Sequence, residues 1–142
     1  MKVLGIDLGD KRTGIAVSDE LGIIANPLKT IQVSDIHKLI EEIAAIIKEV
    51  GAEKVVIGNP INMDGTSGNS AQKTIDFRNA LLEATGLEII MQDERLTTVS
   101  AHKILNESNF NGSKNRKNMI DILASCIILQ DYLNKEAIKN GR

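Results

Sequence analysis

Three acids in this chain, Asp7, Glu94 and Asp121, stand where a carboxylate needs a physical reason. Asp7 lies within the apolar run Leu4-Gly5-Ile6-Asp7-Leu8. An ionised carboxylate there is costly unless a cation or a donor compensates it. It is either the cap of the adjacent turn or a metal ligand at a strand end. Glu94 follows the apolar segment Leu87 to Gln92, with Asp93 as its competitor for the same role. Parallel sheets gather functional groups at the carboxyl ends of their strands; a solvated acidic pair at a helix entry is the plainer account. Asp121 lies in the first turns of an otherwise apolar helical stretch, with Lys117 and Ser125 a turn away on its own face. There too the helix dipole offers a competing explanation. Taken jointly, three carboxylates converging from two strand ends and one helix would hold Mg²⁺ or Mn²⁺, ions that prefer oxygen ligands and keep positions open for substrate phosphate. Two such ions about 4 Å apart activate water and stabilise the leaving oxygen in phosphodiester hydrolysis, with no serine or cysteine nucleophile.

Cations accompany the acids. Lys11 and Arg12 follow Asp7, Arg95 follows Glu94, and Lys114, Arg116 and Lys117 lead into the Asp121 helix. They either contact phosphates beside a cut site or form a solvated face. Gly58-Asn59-Pro60 and Asp64-Gly65-Thr66-Ser67-Gly68 make a glycine-containing loop before a helix, where backbone N–H groups can meet a phosphate or simply cross the surface. The loop lacks the Gly-Lys-Ser/Thr ending of a Walker A motif and the spacing of a dinucleotide fingerprint. His37 and His102 fit ordinary helix surface, and Cys126 and Met119 fit the core.

The elements that must position these groups follow from hydrophobic period. Residues 2–8 read as a strand, a Gly9-to-Arg12 turn leads to a second strand through Ile15, Ala16 and Val17, and a short apolar segment, Ile23 to Ala25, leads through Pro27 to an extended Leu28 to Val33 that makes a third antiparallel strand. Ser34 or Asp35 caps an amphipathic helix with Ile36, Leu39, Ile40, Ile43, Ile46, Ile47 and Val50 on its apolar stripe, stopped by Gly51. Lys54 to Gly58 reads as a buried strand, 70–85 as a helix and Leu87 to Gln92 as the last strand. Thr97 or Thr98 caps a helix to Glu107, Asn109 to Asn115 reads as a mobile polar segment, and a largely buried helix closes the chain over 117–134. The expected fold class is α/β: a mixed five-stranded sheet, a three-strand antiparallel meander plus two parallel strands, flanked by helices.

Composition bounds the rest. With 142 residues, 42% hydrophobic and 25% charged, the chain fits one packed domain over 1–142 and neither a disordered nor a fibrous protein. No apolar run approaches the roughly 18 residues of a membrane span, and Met1 leads into a strand rather than a signal peptide, so a cytoplasmic location without membrane contact is expected. One cysteine, Cys126, makes no intramolecular disulfide. A net charge of −2 gives no global basic footprint, so nucleic acid would be met by a local cationic face. Phe77, Phe110 and Tyr132 are too few to stack bases, which leaves contacts mainly to backbone.

Four ordered blocks carry a resemblance over nearly the whole chain: Gly5-Ile-Asp-Leu-Gly-Asp-Lys-Arg-Thr-Gly-Ile-Ala-Val-Ser-Asp19, the Ile57-Gly-Asn-Pro60 to Gly68 loop, Asp93-Glu-Arg-Leu-Thr-Thr98, and Asp121-Ile-Leu-Ala-Ser-Cys-Ile-Ile-Leu-Gln130. In these the sequence resembles the YqgF family of Holliday junction resolvases, also described as bacterial pre-16S ribosomal RNA processing nucleases, with an RNase H-like fold. The resemblance implies that Asp7, Glu94 and Asp121 are the catalytic, metal-binding acids. It also implies that the edge between the first strand, the Asn59 to Gly68 loop and the last helix receives nucleic acid. The wider RNase H-like group often puts its second acid on the strand that is Lys54 to Gly58 here, where no acid exists, so Glu94 substitutes. Asn59 stands for the usual leucine, Asn69 for a common arginine, and Ser125 within the usual Ala-Ala pair. The expectation is a Mg²⁺- or Mn²⁺-dependent endonuclease maturing the 5′ end of pre-16S rRNA, with Arg12 and Arg95 steadying phosphate. Its alternatives are a resolvase of branched DNA and a catalytically weak binding module. RNA trimming needs only a monomer, whereas symmetric cutting of a junction calls for a homodimer. Asp7-x-Gly9 also resembles the first phosphate segment of actin-like ATPases, which need two lobes where this chain has room for one.

Overall fold

A computed structural model of the chain describes residues 1–9, 11–59, 69–93 and 113–141. Alternating apolar segments in the first third become three antiparallel strands: β1 (Val3–Leu8), β2 (Thr13–Ser18) and β3 (Ala25–Ile31). Two continuous apolar runs later in the chain join as parallel strands, β4 (Lys54–Asn59) beside β1 and β5 (Glu88–Asp93) beside β4. The sheet order is β3-β2-β1-β4-β5, the mixed arrangement expected of a meander followed by βα units. Pro27 sits in β3, which borders the sheet among the described residues and tolerates a residue without an N–H.

Between the strands run α1 (Ile36–Val50) and α2 (Asn69–Thr85), and α3 (Ser113–Lys139) closes the described chain. α1 starts and stops as its sequence directs. The Asp35 side chain accepts the His37 N–H at 2.9 Å, and Gly51 turns left-handed at φ 76°, donating its N–H to the Ile47 carbonyl.

The pleat divides the sheet's side chains between two cores. Leu4, Ile6, Ile15, Val55 and Ile57 pack with Leu39 and Ile43 of α1 and Phe77 and Leu81 of α2. Val3, Ala16 and Val56 face the other way, against Ile128, Leu129, Tyr132 and Leu133 of α3. On this second face Gly5 makes room: a Cβ there would lie 2.7 Å from Leu129 Cβ and 3.1 Å from the Ser125 carbonyl oxygen.

Four expectations need correcting. β3 runs over Ala25–Ile31 rather than from Leu28 to Val33, because its ladder with β2 opens at Ser18 opposite Ala25 and closes at Thr13 opposite Ile31. Asn59 is the last residue of β4 rather than the first of a loop, since the ladder continues to its register partner Asp93. α3 extends beyond 117–134 at both ends and takes in Ser113 to Asn115, read as a mobile polar segment; helix propagates cheaply from a packed centre. Met119 is 36% exposed rather than core, because the buried stripe runs through Ala124, Ser125, Ile128, Leu129, Tyr132 and Leu133 and leaves it on the other side. The helix expected from Thr97 or Thr98 to Glu107 lies outside the described residues.

Candidate active site

Asp7 is the fifth residue of β1 and half-buried. Its register partner across the antiparallel ladder is Gly14 of β2, and directly opposed residues point to the same face with Cβ positions about 5 Å apart. That face is the one α3 covers. A Cβ on Gly14 would collide with the carbonyl of Asp121 and lie 3.1 Å from the Ile122 nitrogen. The backbone of α3 is therefore seated on β2 at Asp121, beside Asp7. Asp7 and the backbone of Asp121, 114 positions apart in sequence, both adjoin Gly14 because glycine alone fits between sheet and helix there.

Arg12, in the turn just before β2, completes the local charge. Its Nε donates to Asp121 Oδ2 at 2.9 Å, with the two side chains 32% and 17% exposed. Burial pushes the Asp121 carboxyl above the ordinary carboxylate range, and the hydrogen bond and charge of Arg12 pull against it. An acid kept costly in its ionised form beside a second acid suits cation binding or proton chemistry better than stability.

The remaining expected residues fall as follows. Lys11 is exposed in the β1–β2 turn. Asn59 ends β4, opposite Asp93. Lys114, Arg116 and Lys117 belong to the first turns of α3; at 1.5 Å per residue they lie about 6–11 Å along the helix from Asp121. Glu94 and Arg95 lie outside the described residues, as do residues 60–68 of the glycine-containing loop and His102. Asp7 and Asp121 are the two expected acids that lie within the described residues, and no cluster of three metal-ligating side chains exists among those residues. His37 is exposed on α1, as expected of a surface residue. Sequence reasoning put Arg12 against phosphate and missed its bond to Asp121; nothing local links positions 109 apart. It also missed Gln92, buried on β5 two positions before Glu94, which donates to Asp131 of α3. No helix among the described residues is long and apolar enough to cross a membrane.

This sheet and helix arrangement is a resolvase fold of the RNase H-like kind. The structure matches Thermus thermophilus RuvC, solved in complex with a Holliday junction substrate, at a TM-score of 0.60 over 96% of this chain and 95% of that one, with 13% identity. It matches the fowlpox virus Holliday junction resolvase at the same TM-score and identity, over 96% of this chain and 99% of that one. A family model, RuvX, described as Holliday junction resolvase, matches residues 1–135. The chain belongs to that family, whose members are nucleases acting on phosphodiester bonds. Among relatives, a Clostridium tetani protein is 44% identical over 94% of this chain and 96% of its own length. A Clostridioides difficile protein is 45% identical over 94% of each. Both carry the name "Putative pre-16S rRNA nuclease".

Proposed function

We propose that this chain is a divalent-cation-dependent endonuclease that matures the 5′ end of pre-16S rRNA, with Asp7, Glu94 and Asp121 holding Mg²⁺ or Mn²⁺. The observation that carries the reading is the seat at Gly14, which brings Asp7 and Asp121 to one point of the sheet. The donor set is all carboxylate oxygen, the chemistry that hard divalent ions require. Asp121 Oδ2 already faces a cation, the Arg12 guanidinium, so the position suits positive charge. Glu94, the next residue in sequence after β5, is the third carboxylate of the proposed set. When bound, the metal supplies Lewis-acid neutralisation of phosphate charge and an acidified water.

The chain's own residues do the rest. Asp7 and Asp121, fixed on β1 and α3, orient the cation; rigid elements hold a site more closely than loops do. Arg95, Lys11 and the Lys114-Arg116-Lys117 segment steady phosphates on either side of the scissile bond, and Asn59 borders the same edge. The whole of residues 1–142 acts as one nuclease domain, in the cytoplasm, where ribosomal precursors are made.

The names of the relatives favour the RNA substrate, and the family description favours branched DNA as the second reading. One assay separates them: cleavage of a pre-16S RNA fragment and a four-way DNA junction by the same preparation in Mg²⁺ and in Mn²⁺. Faster cleavage of the RNA is expected. Preference for the junction, with a homodimer in solution, overturns the substrate assignment. Binding of RNA without cleavage in either metal moves the chain to the binding-module reading.

A further inference from the structure

The Arg12–Asp121 bond joins an acid of the proposed cation site to a positive side chain of the same chain, and its geometry is specific. The bond runs through Nε to Oδ2 alone, so the guanidinium's terminal amino groups and the second carboxylate oxygen stand outside it. Both partners are held at the backbone. Gly9 lets the β1–β2 turn close over the Arg12 carbonyl, where a Cβ would collide, and Asp121 is seated on Gly14 two residues further on. Asp7 faces the same spot from β1.

Resting on the cation-site reading above, we infer that Arg12 is a resident counter-ion: it occupies Asp121 while the cation is absent and competes with the cation for the same carboxylate. A divalent ion approaching Asp121 meets a positive guanidinium within hydrogen-bond distance and must displace it or share the carboxylate with it. The competition keeps the metal-free site folded and lowers metal affinity. Arg12 is thus a positioning residue that sets how tightly the site holds its ion.

Calorimetric titration of the full-length protein with Mn²⁺ alone, without nucleic acid, tests this in wild type, Arg12→Met and Asp121→Asn. Arg12→Met keeps the unbranched stem as far as the Nε position and removes the guanidinium and its charge. It is expected to bind Mn²⁺ on the order of tenfold tighter than wild type, while its metal-free Tm falls. Asp121→Asn is expected to lose most of the affinity. Equal or weaker Mn²⁺ binding by Arg12→Met, with Asp121→Asn still impaired, overturns the counter-ion role and leaves the cation site standing. Absence of Mn²⁺ binding in the wild type, or full binding in Asp121→Asn, overturns the cation site and this role together. Should Arg12→Met fail to fold, Arg12→Lys replaces it: an ammonium without the fixed Nε donor gives a smaller gain in the same direction, and no gain overturns the inference.

Discussion

Replacing Gly14 with alanine adds one methyl group at the point where α3 rests on β2. The added carbon would overlap the Asp121 carbonyl and stand 3.1 Å from the Ile122 nitrogen. Both obstacles are helix backbone, which cannot swing aside as a side-chain tip can. The helix must lift or tilt, taking Asp121 away from Asp7. Overpacking of this kind costs about 1–3 kcal/mol, a fall in Tm of roughly 4–12 °C for a chain of this length. Misplacing a catalytic group by about 1 Å costs on the order of 100-fold in rate. Gly5→Ala is the comparison: its Cβ meets Leu129 Cβ at 2.7 Å and the Ser125 carbonyl oxygen at 3.1 Å, further along the helix. It should lower Tm to a similar degree and reduce cleavage much less. Calorimetric melts beside initial cleavage rates decide the matter. Gly14→Ala with unchanged Tm and rate would refute the seat, and equal rate losses in both variants would refute its local role in the site.

Other consequences follow from single groups. A carboxyl whose folded pKa is raised adds stability below its unfolded pKa and loses that contribution as pH rises through the folded one. Burial raises Asp121, so Asp121→Asn should raise the metal-free Tm at pH 7 by more than at pH 4; thermal melts at the two pH values check the sign. Ser125 is fully buried and its Oγ bonds back to the Ile122 carbonyl at 2.7 Å, so Ser125→Ala should leave Tm unchanged or raise it slightly. Gly51→Ala places a side chain at φ 76° with nothing within 4 Å of it; the cost, about 1 kcal/mol, is conformational and should appear in urea unfolding. Burial pushes the Cys126 thiol up to about 11, so alkylation by iodoacetamide at pH 8 should be slow in the native protein and fast in urea.

Local signals made much of this fold legible. Asp35 and Gly51 bracket α1 because a cap oxygen and a left-handed glycine act within a few residues. The strands showed because short apolar runs bounded by turn residues are also local signals. Asp7 stood out by contrast with its own neighbours, and Asp121 by interrupting an apolar helix. The partnership of those acids was beyond such reasoning, since it depends on the β1–β2 register and on the seating of α3, both set by packing across the whole chain. The same holds for Arg12 and Asp121, and for Gln92 and Asp131. Asn59 and Ser113 to Asn115 were misread for a related reason: asparagine and serine favour turns in isolation, and here the β5 ladder and the packed body of α3 override that preference.

The proposed function requires Asp7 and Asp121 to form one cation-dependent cleavage site. The decisive measurement is cleavage of pre-16S RNA in Mn²⁺ by wild type, Asp7→Asn and Asp121→Asn, each first shown to be folded by circular dichroism. Cutting by wild type that EDTA abolishes, and loss of cutting in both folded variants, are expected of such a site. Undiminished cutting by either variant would contradict the proposed function.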